Sequence, residues 1–141
     1  MLSEKQKALY RRTIEVALTS PSRKQVGAIL LKKNMIVAQA TNLEKKTHPI
    51  QARWAKRAGL HEKIYLHAEI AALVKCRDDA DTIIVARINS EGKLRNAKPC
   101  PVCTMALKEA GIHNIDLIKA RTQLNTFSSN TIVTSNRCEF V

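Results

Sequence analysis

His67-Ala68-Glu69, followed thirty positions beyond Glu69 by Pro99-Cys100-Pro101-Val102-Cys103, is the part of this chain whose reading decides its fold. A histidine and two cysteines can supply three of the four ligands of a tetrahedral Zn²⁺. The fourth position is then left for water, the arrangement of a catalytic rather than a structural site. Glu69 stands two residues from the histidine as a carboxylate that can move protons. Taken alone, the C-x-x-C pair also reads as a redox motif or as half of a structural zinc site. For the latter, His48, His61, His113, Cys76 and Cys138 are available as a fourth ligand. Both segments together, in this order, are far more specific.

The flanking residues place each segment at the start of a helix. Residues 66–77 read as a helix with Ile70, Leu73 and Val74 on its apolar face. Residues 101–110 read as another, with Pro101 in its first turn and Gly111 as C-cap. Helix N-termini carry partial positive charge, which favours thiolate over thiol at Cys100 and Cys103. Residues two apart do not share a helix face, but at the first turn His67 and Glu69 can both reach a metal lying beyond the helix end.

Working outward, Ser3 and Gln6 form a capping box for a helix carrying Leu2, Leu9, Thr13, Val16 and Ala17, which Ser20-Pro21 stops. Residues 26–31 and 35–40 read as a β-hairpin turning at Lys32-Lys33-Asn34. Residues 41–63 read as a long polar loop with six Lys/Arg and the only Trp, Trp54. Loops beyond about 12 residues are usually functional or disordered. Residues 82–88 form a β-rich strand, 89–98 a polar loop around Glu91-Gly92, and 115–120 a further strand. A last strand is expected at 131–134, reached through Phe127-Ser128-Ser129-Asn130. The order is α-β-β-α-β-α-β-(β), and the absence of repeats or linkers predicts one domain over residues 1–141.

Composition sets the limits. Hydrophobic content is 45% over 141 residues, and no apolar run approaches the ~20 residues of a membrane span. No secretory signal is visible. The basic amphipathic residues 1–18 carry Glu4 and Glu15, which count against a transit peptide. Two of four cysteines fit a metal pattern, so a reducing cytoplasmic location is expected, with Cys76 a buried free thiol. The formal charge is +12, with 14 Lys/Arg against 4 Asp/Glu in residues 1–63 and 10 against 8 in residues 64–141. That asymmetry points to a polyanionic partner or phosphorylated substrate near the first half, against the plainer reading of a solvated basic surface.

The His-Ala-Glu and Pro-Cys-x-x-Cys segments resemble the signature of the zinc-dependent cytidine and deoxycytidylate deaminase superfamily. The resemblance covers most of residues 20–120. It implies an α/β fold, the cytidine-deaminase-like α/β/α three-layer sandwich with a mixed sheet of about five strands. It further implies hydrolytic conversion of cytosine to uracil by zinc-hydroxide attack. His67, Cys100 and Cys103 are then the metal ligands and Glu69 the catalytic proton shuttle. An asparagine at the position of Asn42 contacts the sugar in similar enzymes; the plainer reading is turn chemistry. Trp54 among Arg53, Lys56 and Arg57 is a candidate for base stacking, although a lone Trp more often packs in a core or loop. Arg87 is a weaker candidate for a phosphate, and His61 for a second metal.

A histidine at position 67 looks like the deoxycytidylate, tRNA-adenosine and polynucleotide branches. The long 88–99 connection and the absence of a helical pattern in 121–141 make tRNA-type adenosine deamination the secondary reading. A non-catalytic zinc module would leave Glu69 without purpose. The expected substrate is a cytosine-containing nucleotide or single-stranded nucleic acid, and a homo-oligomer often completes the pocket in this fold.

Overall fold

The computed structural model describes residues 2–60, 65–98 and 100–121, without the side chains of 44–46. Helix α1 (Glu4–Leu18) begins at the capping box, with Gln6 N–H donating to Ser3 Oγ at 3.1 Å and Ser3 N–H to Gln6 Oε1 at 3.0 Å. Strands β1 (Gln25–Lys32) and β2 (Met35–Thr41) form the antiparallel hairpin. Lys33 and Asn34 at its tip have φ of 50° and 66°, the left-handed conformation that two-residue hairpin turns require. Then follow β3 (Leu43–Thr47), α2 (Pro49–Arg57), β4 (Tyr65–Leu66), α3 (Ala68–Lys75), β5 (Thr82–Ile88), β6 (Leu94–Arg95), α4 (Pro101–Glu109) and β7 (Asn114–Leu117).

Strand β5 is the centre of a mixed five-stranded sheet. One edge runs antiparallel to β1 over its whole length, from Gln25 opposite Ile88 to Leu31 opposite Thr82. The other edge is divided, with β7 parallel along residues 82–85 and β6 antiparallel at Arg87 and Ile88. Alternation along the strands sorts the two faces. Ile29, Leu31, Ile84, Ala86 and Ile88 pack with Tyr10, Ile14 and Ala17 of α1. Ala28, Leu30, Ile83 and Val85 pack on the opposite side with Ala68 and Ala72 of α3 and Leu107 of α4. The product is the expected α/β/α sandwich. Gly27 permits a close approach of α1 to β1: a Cβ there would lie 2.7 Å from Ala17 Cα, so α1 could not sit so near the strand. No helix among the described residues is long and apolar enough to cross a membrane.

Three stretches differ from the sequence reading. The 41–63 segment is not a loop: it contains β3, which pairs with β4 in a separate two-stranded sheet, and α2. His48 caps α2, its Nδ1 accepting from Ile50 N–H at 3.1 Å, and Pro49 fills the first turn. The many cations hid a narrow apolar stripe. Ile50, Trp54 and Ala58, spaced four apart beside buried Ala55, pack on Val102, Cys103 and Ala106. The 89–98 loop contains β6, and its turn is closed by Asn89 Oδ1 accepting from the N–H groups of Glu91 and Lys93 at 3.0 and 2.9 Å. The helix expected over 66–77 is shorter, because Leu66 belongs to β4 and Cys76 is already extended. Cys76 is half-buried instead of buried, and its thiol donates to the Asp78 carbonyl at 2.8 Å. The strand expected at 131–134, Cys138, His61 and Pro99 lie outside the described residues.

Candidate metal centre and substrate cavity

Two helix starts meet at one point. His67 is the N-cap of α3, in extended conformation, and its ring does not cap the helix. Cys100 is the N-cap of α4, followed by Pro101, with Cys103 one turn in. The sulfurs of Cys100 and Cys103 each lie 3.3 Å from His67 Nδ1. All three ligand atoms fall within 4.8 Å of one another. Tetrahedral zinc, with Zn–S near 2.3 Å and Zn–N near 2.0–2.1 Å, sets its nitrogen and sulfur ligands about 3.5 Å apart. The donor types and spacings therefore fit zinc. Among the described residues this cluster has three members, and neither His48 nor His113 belongs to it.

The two sulfurs are not equivalent. Cys100 is pushed down to about 4, first because the Cys103 thiol donates to its sulfur, and further by His67 and the Cys103 N–H, against the cost of burial. Donating that proton, together with burial and the nearby Glu69 charge, raises Cys103. Glu69, in the first turn of α3, is only 4% exposed. Burial holds its carboxyl above the usual range, opposed by its own backbone N–H, His67 and the Cys103 thiol, and reinforced by Cys100.

Sequence reasoning missed the group that orients His67. Gln51 of α2 is fully buried, and its Oε1 accepts the His67 backbone N–H at 3.2 Å. The His67 carbonyl in turn accepts from Ala71 N–H at 2.9 Å. Helix α2 therefore fixes the backbone that presents the imidazole. The available signal was a polar residue on the apolar side of the Ile50, Trp54, Ala58 stripe. Gln51→Leu is expected to cost about 1–3 kcal/mol, because it strands a buried N–H beside a bulkier side chain. Urea unfolding checks the cost. Faster zinc transfer to a chelator checks the loosened histidine.

A cavity of about 640 Å³ opens on the cluster, lined by His67, Glu69, Cys100, Asn42, Tyr65 and Arg87, with Lys24 and Lys98 at its wall. Asn42 is in place, but much of its carboxamide is engaged. Its Oδ1 accepts from Ser20 Oγ at 2.8 Å and Val26 N–H at 3.0 Å, and its Nδ2 donates to the Lys24 carbonyl at 2.9 Å. Asn42 thus holds the rim that carries Lys24. The structure does not bring Arg53, Trp54 or Arg57 into this lining. The Arg57 guanidinium lies 4.5 Å over the Trp54 ring and pairs with Glu109 at 3.3 Å, while Trp54 packs on the core beneath α2. The aromatic group at the cavity is Tyr65, 48% exposed. Alternation along β4 could have found it, since positions 65 and 67 share a face. The same rule places Arg87 on the face of Ile83 and Val85, where a cation is out of pattern.

No curated protein matches the chain. Among solved structures, the dCMP deaminase of the cyanophage S-TIM5 is similar both in apo form and in complex with dCMP and dUMP. In each case identity is 21% and the TM-score 0.49, over 96% of this chain and 94% and 95% of the solved chains. The profile described as the cytidine and deoxycytidylate deaminase zinc-binding region matches residues 3–119. Since that match takes in both helix starts and the sheet that carries them, the chain belongs to the zinc-binding cytidine and deoxycytidylate deaminase family.

Proposed function

We propose that this chain is a hydrolytic deaminase that converts the cytosine of a (deoxy)cytidine nucleotide to uracil. His67, Cys100 and Cys103 hold zinc, and Glu69 moves the protons. The observation that carries the reading is Glu69: a buried carboxyl that still opens on a cavity shared with two of the three metal donors, His67 and Cys100. A bound zinc at this donor set supplies an acidified water as nucleophile. The Glu69 carboxylate takes a proton from the attacking water and delivers it to ring nitrogen N3, which makes C4 electrophilic. The C4–O bond forms, Glu69 then takes the remaining hydroxyl proton of the tetrahedral intermediate and hands it to the exocyclic amine, the C4–N bond breaks as the C4 carbonyl forms, and ammonia leaves. Water and cytosine are consumed, and uracil and ammonia are produced. Burial, which disfavours the charged form of Glu69, favours its holding the proton between the two transfers. Asn42 contributes its remaining N–H to the sugar, and Lys24, Arg87 and Lys98 face the phosphate of the nucleotide.

The zinc-loaded protein, given dCMP, is expected to release equal amounts of uracil nucleotide and ammonia. Ammonia assay and chromatography read both products. Absence of product from every cytosine nucleotide, with zinc bound, removes the proposal.

A further inference from the structure

A second cavity, of about 620 Å³, adjoins the first, and Lys24, Arg87 and Lys98 line both. Beyond that shared wall Arg23 and Arg95 add two more cations. Among the described lining residues the one carboxylate, Glu91, lies 3.9 Å from the Lys93 ammonium. Strand pairing sets Arg95 directly opposite Arg87. Cross-strand partners stand about 4.5–5.5 Å apart at Cβ, and like charges so placed repel. Among the described residues, neither guanidinium has a carboxylate within ion-pair distance. Two arginines held face to face without an internal counter-ion make a place for an external anion.

A mononucleotide does not account for this arrangement, because the shared wall already serves its single phosphate. The second cavity is nearly as large as the first, room for a nucleotide and not only a phosphate. Its polar groups suit a sugar-phosphate chain. Asn89 and Asn96 use their Oδ1 atoms internally, for the turn N–H groups and for Ala120 N–H at 2.8 Å, so they offer amide donors outward. We propose that the second cavity is a subsite for the nucleotide joined by a phosphodiester to the target cytidine, so that the enzyme acts on single-stranded nucleic acid. This rests on the deaminase reading above.

The test compares dCMP, dCTP and a single-stranded oligonucleotide with one cytosine, for the zinc-loaded wild type and Arg95→Ala. The oligonucleotide is expected to show a kcat/KM about tenfold or more above dCMP, the scale of one or two charge-assisted hydrogen bonds. Arg95→Ala should remove most of that margin while leaving dCMP turnover in place, since Arg95 does not line the first cavity. It should also lower the log–log salt slope for the oligonucleotide by about 0.7, the value of one single-strand phosphate contact. Relieving the arginine pair should not lower the thermal midpoint. Equal rates on dCMP and oligonucleotide, or an oligonucleotide advantage untouched by Arg95→Ala, overturn the subsite and leave the deaminase reading standing. A preference for dCTP that disappears in Arg95→Ala assigns the cavity to a free polyphosphate and overturns the polymer. A lowered midpoint with equal loss on all substrates makes Arg95 structural, which also overturns it. No product from any substrate overturns both readings.

Discussion

Glu69→Gln is expected to keep its zinc and its fold and to lose turnover by roughly three orders of magnitude, within the ~10²–10⁴ that positioned acid–base catalysis contributes. The three side chains that could hold the metal are His67, Cys100 and Cys103, so the substitution removes none of these candidate ligands. Among the described residues it removes the one carboxyl in the cavity lining, the group that takes a proton from water and returns one to the amine. Stability should hold or rise. Glu69 is 4% exposed and burial already disfavours its charged form, whereas a neutral amide of the same shape carries no such penalty. Three readings are needed together: zinc per chain, thermal midpoint, and ammonia release under saturating dCMP. Retained turnover with full metal occupancy would falsify the proton-shuttle role. Loss of metal would instead mean that the carboxylate supports the site structurally.

Why the site was legible and its surroundings were not follows from the range of the forces involved. The ligand set is encoded by residue type at two short segments, and helix starts are encoded by local signals such as Pro101 and the residues that precede an apolar stripe. Those signals do not depend on distant contacts, and His67 and Cys100 are the N-caps of α3 and α4. The core strands were equally plain, since residues 82–88 are apolar throughout save Thr82 and Arg87 and cannot face water on either side. Helix α2 was hidden because Arg53, Lys56 and Arg57 interleave with its apolar residues, and only packing on Val102 and Ala106 makes the stripe meaningful. Strands β3 and β6 are short and exist through their partners, so nothing local announces them. Gln51 belongs to the same class. Its role depends on a hydrogen bond to a residue sixteen positions away.

The cavity lining depends on contacts of longer range. A Trp amid arginines looked like a stacking platform, yet the tertiary structure turns Arg57 onto Trp54 and Glu109. The cations that do reach the cavity come from three separate places: the start of β1, the end of β5 and the segment before α4. No window of sequence contains them all. Of these cations Lys24 lies in the basic first half of the chain, and Arg87 and Lys98 lie outside it.

Cys103→Ser should abolish stable zinc binding, and with it the effect of chelators on stability. Cys103 is fully buried among Ile70, Val102 and Ala106, and serine nearly matches its size, so the metal-free fold should survive. What disappears is one of two sulfur donors beside the imidazole. Losing a partner outside the ligand shell costs about 10–100-fold in affinity, and losing a ligand should exceed that. A ligand that binds only the folded state stabilises it by about 2.7 kcal/mol at a hundred times its Kd. Chelation of the wild type should therefore lower its thermal midpoint, while the midpoint of Cys103→Ser should ignore chelator. Cys76→Ser is the control, because Cys76 lies outside the cluster and a hydroxyl can keep its bond to the Asp78 carbonyl. That variant should hold zinc and respond to chelator like the wild type. If Cys103→Ser retained zinc at wild-type affinity, the three-donor centre would be wrong, however well its distances fit.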